Sequence, residues 1–328
     1  MTDISQKNSF PKIIEISVVI PVFEEEETVA LLHNRLTSVL ERLNCTYELL
    51  FINDGSLDST ARELNALCEK DPRVGVVHFR RNFGKSSALD AGFKRARGRT
   101  VVTIDADLQD DPEELPRLLA DLEKGNDVVI GWKKERNDPA AKTLPSRIFN
   151  SVTGWISGLR IHDMNSGLKV YRHRALEGLD LYGEMHRFIP VLLYWRGFVI
   201  SEIPVKHHPR QFGESKYGWG RLVKGAFDLL TVTMETRYST RPLHLFGGVG
   251  LVFGTAGFLI LAYLTVLWFA GYGPIGNRPL LLLGLLLTVV GVQFVSMGLL
   301  GELVIRSQQS KQPSYVIREY RRPGRPDQ

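Results

Sequence analysis

The chain has 328 residues, enough for one large domain or two smaller ones with ample core, and a formal net charge of +5. Its apolar content of 44% is ordinary in total but crowded into the last third. The basic excess lies beside those apolar runs, and no stretch interleaves aromatic and basic residues, so the charge favours anionic lipid over nucleic acid as the partner.

The N-terminal stretch 1–17 has no apolar signal-peptide core, so nothing there directs the following domain outward. Residues 16–21 read as a first strand, followed by an acidic loop, 24–27. Val29, Leu32, Leu36, Val39, Leu40 and Leu43 recur at helical spacing and predict a helix over 28–43. A second strand, 47–52, runs into Asn53-Asp54-Gly55-Ser56, and Asp58 or Ser59 caps the next helix, which ends near Glu69. Strand 74–79, helix 85–96 and strand 100–104 follow. Asp111-Pro112-Glu113-Glu114 starts a helix, with proline in its first turn and acids complementing its dipole, and 127–131 is a fifth strand.

This order predicts an α/β fold with a mostly parallel, doubly wound sheet. Such sheets bind ligands beyond the carboxyl ends of their strands. Glu24 and Glu25 after the first strand, Asp54 after the second, and Asp105, Asp107 and Gln109 after the fourth converge there. Alternation along an extended backbone turns Asp105 and Asp107 to one side and Ala106 to the other. Two carboxylates and an amide make a hard-oxygen site suited to Mg²⁺ or Mn²⁺. A calcium-loop reading fails, because Asp110 and Pro116 occupy the positions that would need glycine and an acid. Asp110, Asp111, Glu113 and Glu114 are accounted for as a solvated acidic start to the helix.

Further along, Ile148, Val152, Trp155 and Leu159 mark one face of a helix over 143–159. An amphipathic helix over 219–237 sets Arg221, Lys224, Asp228, Thr231 and Glu235 against Leu222, Val223, Phe227, Leu230 and Met234, as an interfacial helix would. Just before it, Arg210 to Lys216 combine two cations and the Ser215 hydroxyl around a glycine, equipment for an anionic headgroup. His207-His208 end a strand-like segment and, lacking a spaced partner, read as structural. The uncharged runs 245–270 and 280–301 are each long enough to cross about 30 Å of hydrocarbon at about 1.5 Å per residue, which predicts a membrane hairpin. Gly250-x-x-x-Gly254 then serves close helix packing rather than a dinucleotide loop, since no strand precedes it.

Arg237 and Arg241 precede the first span, and Arg306, Lys311, Arg318, Arg321, Arg322 and Arg325 follow the second. Only Arg278 lies in the connecting loop. This asymmetry places the large domain and both termini in the cytosol, where Cys45 and Cys68 fit reduced thiols. The expected organisation is a cytosolic domain over 1–210, a loop and interfacial helix over 211–241, two spans over 242–305 and a basic tail over 306–328.

Six motifs occur in order: Val19-Ile20-Pro21-Val22-Phe23-Glu24-Glu25, Asn53-Asp54-Gly55-Ser56-Leu57-Asp58, Arg81-Asn82-Phe83-Gly84-Lys85, Asp105-Ala106-Asp107-Leu108-Gln109-Asp110, Asp163-Met164-Asn165-Ser166-Gly167-Leu168-Lys169 and Phe212-Gly213-Glu214-Ser215-Lys216-Tyr217. With the two spans they resemble, over nearly the whole chain, the polyprenyl-phosphate glycosyltransferases of glycosyltransferase family 2, the dolichol-phosphate-mannose synthase-like and undecaprenyl-phosphate-sugar synthase-like enzymes. The resemblance makes 1–210 a GT-A-type catalytic domain and the loop after it the acceptor loop, and it implies inverting transfer of a hexose from a nucleotide sugar to a polyprenyl phosphate, undecaprenyl or dolichyl.

It further implies that Pro21, Phe23 and Glu25 form a nucleoside-binding edge, that Asp54 reads the base, and that Lys85 and Ala106 belong to the nucleotide site. Asp105, Asp107 and Gln109 would hold Mg²⁺ or Mn²⁺ and the diphosphate, with Asp107 and Asp163 as catalytic carboxylates and Asp163 the candidate base. Arg187, Arg210, Ser215 and Lys216 would receive the acceptor phosphate and close over the donor. Glu24 departs from the family pattern, which usually has asparagine there, and the base aspartate sits at differing places in the fifth motif across subfamilies.

UDP-glucose is the leading donor, with GDP-mannose, UDP-galactose and UDP-N-acetylglucosamine as alternatives. The implied setting is a bacterial inner membrane and the implied assembly a homo-oligomer, a tetramer among its forms, with tails around Tyr315-Val316-Ile317 pairing with neighbours. A processive polysaccharide synthase would carry Gln-x-x-Arg-Trp, which is absent. A membrane scaffold or nucleotide sensor is the non-enzyme alternative, disfavoured by the intact carboxylates.

Overall fold

Seven strands form one sheet, in the order β3-β2-β1-β4-β6-β5-β7, in a computed structural model that describes residues 14–134, 153–154, 157–208, 242–272 and 274–308. β1 (Ile16–Val22) pairs in parallel with β2 (Tyr47–Asn53) and β4 (Thr100–Thr103), and β2 with β3 (Val74–His78). β5 (Val128–Lys133) and β7 (Ile200–Val205) are also parallel, whereas β6 (Lys169–Arg172) runs antiparallel to β4 and β5.

The reason for the parallel centre is visible in burial. Every residue of β2 is buried, and β1 leaves only Pro21 partly open. Strands with such unbroken apolar runs need both faces covered, and the crossover helices supply that cover. α1 (Val29–Arg42) buries Val29, Leu32, Leu36, Val39 and Leu40, the predicted stripe. α2 (Thr60–Lys70), α3 (Lys85–Phe93) and α4 (Leu115–Leu122) follow their strands as the pattern requires.

The structure departs from the sequence expectation at β6. This four-residue strand separates β4 from β5, which the simple alternation of strand and helix makes neighbours. α5 (His173–Leu176), α6 (Ile189–Trp195) and β7 then complete the unit. Smaller differences are that α3 stops at Phe93 and that β4 ends its ladder at Thr103 while β5 continues to Lys133.

At the amino ends of the strands a buried polar cluster closes the sheet. Glu48 accepts the Ser17 hydroxyl at 2.6 Å, the Arg97 guanidinium at 2.6 and 2.9 Å, and the Arg97 amide at 2.8 Å. Burial alone would raise the Glu48 pKa, but these donors hold it below the usual value.

The chain divides into two compact units, Met1–Leu230 and Thr231–Gln328. In the second, α7 (Pro242–Phe269) and α8 (Pro279–Gln308) pack through glycines. A Cβ on Gly250 would lie 2.6 Å from the Gly291 carbonyl, and one on Gly291 would lie 2.5 Å from the Gly254 amide nitrogen. Only a hydrogen fits at Gly250 and Gly291, so the predicted close packing holds at Gly250, whereas Gly254 offers its backbone to Gly291 and a Cβ of its own would meet nothing within 4 Å. Both helices are long and apolar enough to cross a bilayer, with mean hydropathy 2.1 and 2.3. Their leucines and phenylalanines mostly face outward, which no core helix of a soluble domain would do. The predicted helix over 219–237, the turn from Arg210 to Lys216, most of the predicted helix over 143–159 and the tail beyond 308 lie outside the described residues.

Candidate functional site

The carboxyl ends of β1, β2 and β4 carry the predicted groups. Past β1, Glu24 adopts φ 55°, a left-handed conformation in which asparagine is far more at home than glutamate. Its departure from the family pattern therefore falls on a strained position, anchored by a 2.9 Å bond from its amide to Ser56 Oγ. Pro21 and Phe23 stay half-buried at the rim. Glu25 turns to the start of α1 and accepts the Thr28 hydroxyl at 2.9 Å.

Asp54 is buried, and its two oxygens accept the amides of Phe83 at 2.7 Å and Gly84 at 2.9 Å. Burial pushes its carboxyl up, and the two amides only partly offset that. The residue expected to read a base thus also braces the turn that delivers Lys85. Gly55 is obligatory in this brace: with φ at 73°, a Cβ would lie 2.3 Å from the Arg81 carbonyl carbon.

Beyond β4 the backbone does what alternation predicts. Asp105 and Asp107 are half-exposed, while Ala106 and Leu108 are buried. Lys85, the first residue of α3, bonds the two Asp105 oxygens at 2.5 and 2.8 Å. Burial, and then the charges of Asp105 and Asp110, push the Asp107 carboxyl up to about 6. Leu108 takes φ 59°, bending the chain so that Asp107 Oδ1 accepts the Gln109 amide at 3.2 Å. The Gln109 carbonyl accepts the His208 amide at 2.8 Å, tying this loop to the end of β7.

Asp110 corrects the sequence reading. It is 1% exposed, not a solvated helix start, and pairs with Lys133 at 3.0 Å and His207 at 3.7 Å. Burial works against its charge, but Lys133 and His207 hold it far below the usual carboxylate range. Glu114 is likewise buried and paired with Arg117. Asp111 accepts the Glu113 amide and bonds Arg35 and His208. His207 and His208 thus both pack against the acids of this loop. Opposite the bend, Gly167 lies so close that a Cβ would sit 2.5 Å from Asp105 Oδ2 and 2.7 Å from Asp110 Oδ2.

Asp163 is 1% exposed. Its neighbour His162 donates its amide to Glu202 at 2.8 Å, bonds Glu202 through its ring, and stacks on Trp132 at 4.1 Å. Arg187 pairs with Glu184 at 2.8 Å rather than with the carboxylates after β4. It is the adjacent His186 that shares a small pocket with Lys85, Asp105 and Lys169. Arg210, Ser215 and Lys216 lie outside the described residues.

Sequence reasoning gave no role to Lys133 and Lys169. Both stand where an apolar strand meets the site, and a lysine in that position was the available signal. Burial and the nearby Lys85 charge push the Lys169 ammonium down to about 8.

Among the described residues no three His, Cys, Asp or Glu side chains form a cation cage. A magnesium-type ion needs none, since it is held by one or two carboxylates and completes its shell with substrate phosphates and water. Asp105 and Asp107 fit that demand; the Asp107 carboxyl is raised first by burial and then by the charges of Asp105 and Asp110, and a dication would relieve that second part.

Residues 17–179 match the model of Glycosyl transferase family 2. The chain is 37% identical over 315 residues to a dodecaprenyl-phosphate galacturonate synthase from Rhizobium johnstonii, covering 93% of each. It is 36% identical over 317 residues to an undecaprenyl-phosphate 4-deoxy-4-formamido-L-arabinose transferase from Proteus mirabilis, covering 95% of each. Among solved structures, mannosyl-3-phosphoglycerate synthase from Rubrobacter xylanophilus superposes with a TM-score of 0.54 at 16% identity, over 68% of this chain and 75% of that one. Glucosyl-3-phosphoglycerate synthase from Mycobacterium tuberculosis, in complex with Mn²⁺, UDP-glucose and phosphoglyceric acid, gives 0.51 at 18% identity, over 68% and 79%. These two likenesses are of fold.

Proposed function

The chain belongs to glycosyltransferase family 2, in its polyprenyl-phosphate branch and with a GT-A-type fold, and we propose that it transfers one sugar from a nucleotide sugar to a polyprenyl phosphate at the membrane surface, with inversion and with Mg²⁺ or Mn²⁺. The observation that carries this reading is the pair Asp105 and Asp107 at the open end of the parallel strands, faced by Lys85.

In the reaction, an oxygen of the lipid phosphate attacks the anomeric carbon. The bond from that carbon to the diphosphate breaks, and the electron pair leaves with the nucleoside diphosphate. A phosphate monoester has a second pKa near about 6, so the nucleophile is already anionic and little is asked of Asp163 as a base. When bound through Asp105 and Asp107, the divalent ion would neutralise charge developing on the departing diphosphate. Lys85, braced through the turn that Asp54 holds, offers a second cation on the same side. Pro21 and Phe23 line the nucleoside edge. Arg187, Arg210, Ser215 and Lys216 take the acceptor phosphate.

The donor sugar is left wider than the sequence suggested. The relatives named above carry galacturonate and 4-deoxy-4-formamido-L-arabinose, so UDP-glucose has no support from them and heads no ranking. The charge asymmetry around the spans supports a cytosolic catalytic domain in a bacterial inner membrane, and the family resemblance with the Tyr315-Val316-Ile317 stretch supports a homo-oligomer. A panel of UDP-galacturonate, UDP-4-deoxy-4-formamido-L-arabinose, UDP-glucose and GDP-mannose with undecaprenyl phosphate tests the reading. One donor should yield a lipid product heavier by one sugar, and no lipid product from any would overturn it.

A further inference from the structure

Three lysines surround the carboxylates after β4, and they are not equivalent. Lys85 is paired with Asp105 and Lys133 with Asp110. Lys169 is 4% exposed, yet among the described residues its ammonium has no carboxylate within 4.0 Å and no hydrogen bond. It opens β6 opposite Thr103, so it projects from the sheet face shared by Thr103 and, two residues on, Asp105. There it lines a small pocket with Thr103, Asp105, Ser166, Tyr171 and His186.

The Lys169 ammonium is not among the fully buried side-chain atoms left without a hydrogen-bond partner, so its tip reaches the pocket, but a lysine this enclosed and without an ion pair is still costly. The proton is nonetheless retained at neutral pH. Burial and Lys85 push the pKa down only to about 8, because Asp163, Asp105 and Asp110 act on it from a distance. A cation is thus kept charged in a pocket beside the diphosphate carboxylates, without a counter-ion of its own.

We propose that Lys169 is a donor-binding residue whose ammonium receives an oxyanion of the bound nucleotide sugar, from a carboxylate on the sugar or from the diphosphate. The inference rests on the nucleotide-sugar reading above and adds to it the group that meets the donor's anion. The competing role is that of a counter-ion that merely balances the acid cluster, which would affect folding without distinguishing ligands.

Calorimetric binding to the full chain in nanodiscs with Mg²⁺ separates these. The ligands are UDP, UDP-glucose and UDP-galacturonate, each measured on wild type, Lys169→Met and Lys169→Arg, with a melting curve for every variant. Lys169→Met should lose about tenfold or more in affinity, about 1.4 kcal/mol, for the ligand supplying the anion, and Lys169→Arg should recover most of it. Equal loss for all three ligands assigns the diphosphate, and loss confined to UDP-galacturonate assigns the sugar carboxylate. Unchanged binding of all three by a folded Lys169→Met overturns the inference, whatever its melting temperature. Should that variant not fold, Lys169→Gln carries the same expectation. Wild type that binds none of the three, nor GDP-mannose, refutes the nucleotide-sugar reading itself, and the inference with it.

Discussion

Replacing Gly167 by alanine adds one methyl group at the tightest point of the site. Gly167 does not need a left-handed backbone, so the substitution acts through space alone. The new Cβ would lie 2.5 Å from Asp105 Oδ2 and 2.7 Å from Asp110 Oδ2, where ordinary contact begins at 3.4 Å, so the carboxylates must retreat by about 0.9 and 0.7 Å. Asp110 has little room, being buried against Lys133 and His207. Asp105 therefore does most of the moving, which disturbs both its bond to Lys85 and its share of the cation. Overpacking of this kind costs about 1–3 kcal/mol of stability. A shift of about 1 Å in a catalytic group costs about 100-fold in rate. Steady-state turnover of the full chain, alongside its melting temperature, should show kcat down by about two orders of magnitude and a melting shift of a few degrees. Gly167→Ala with wild-type kcat would show that the contact between this turn and the carboxylates has no bearing on the chemistry.

Other consequences follow from the same groups. Asp107→Ala should reduce turnover more than Asp163→Asn, because stabilising the leaving diphosphate asks more than deprotonating an acceptor already anionic; equal losses in the same assay would contradict that. Metal ligands must be deprotonated, and the Asp107 carboxyl sits at about 6, above its ordinary value. Affinity for Mn²⁺ without nucleotide, followed by electron paramagnetic resonance, should therefore be steady above that pH and fall below it by up to about tenfold per unit, whereas a flat profile from pH 7 to 5 would exclude Asp107 as a ligand. Lys133→Met strands the buried Asp110 charge and should cost about 3–5 kcal/mol in thermal or denaturant unfolding, with Asp110→Asn in the same chain restoring part of it; additive losses would refute the pairing.

How much of this was legible in the sequence depends on the range of the interactions involved. The parallel centre was readable because Val18–Ile20, Leu49–Ile52 and Val101–Ile104 are apolar runs between helices with clean stripes, which is local information. The Asp105 and Asp107 pair was readable because it ends such a run. β6 was not, since four residues held between two longer strands owe their conformation to β4 and β5. Asp110 looked like its exposed neighbour Glu113 because burial is decided by Lys133, more than twenty positions away in sequence. The duty of Asp54 as a brace likewise depends on the amides of Phe83 and Gly84, which no pattern near Asp54 announces.

The central claim is that Asp105 and Asp107 serve transfer of a single sugar onto a polyprenyl phosphate. It is tested most directly by the mass of the lipid formed from undecaprenyl phosphate and the nucleotide sugar that the chain accepts, with and without chelator and with Asp107→Ala. The account predicts a product carrying one sugar, formed by wild type with Mg²⁺ or Mn²⁺ and nearly abolished by chelator or by the substitution. Undiminished product in chelator, or nucleotide sugar consumed without any glycosylated lipid, would contradict it.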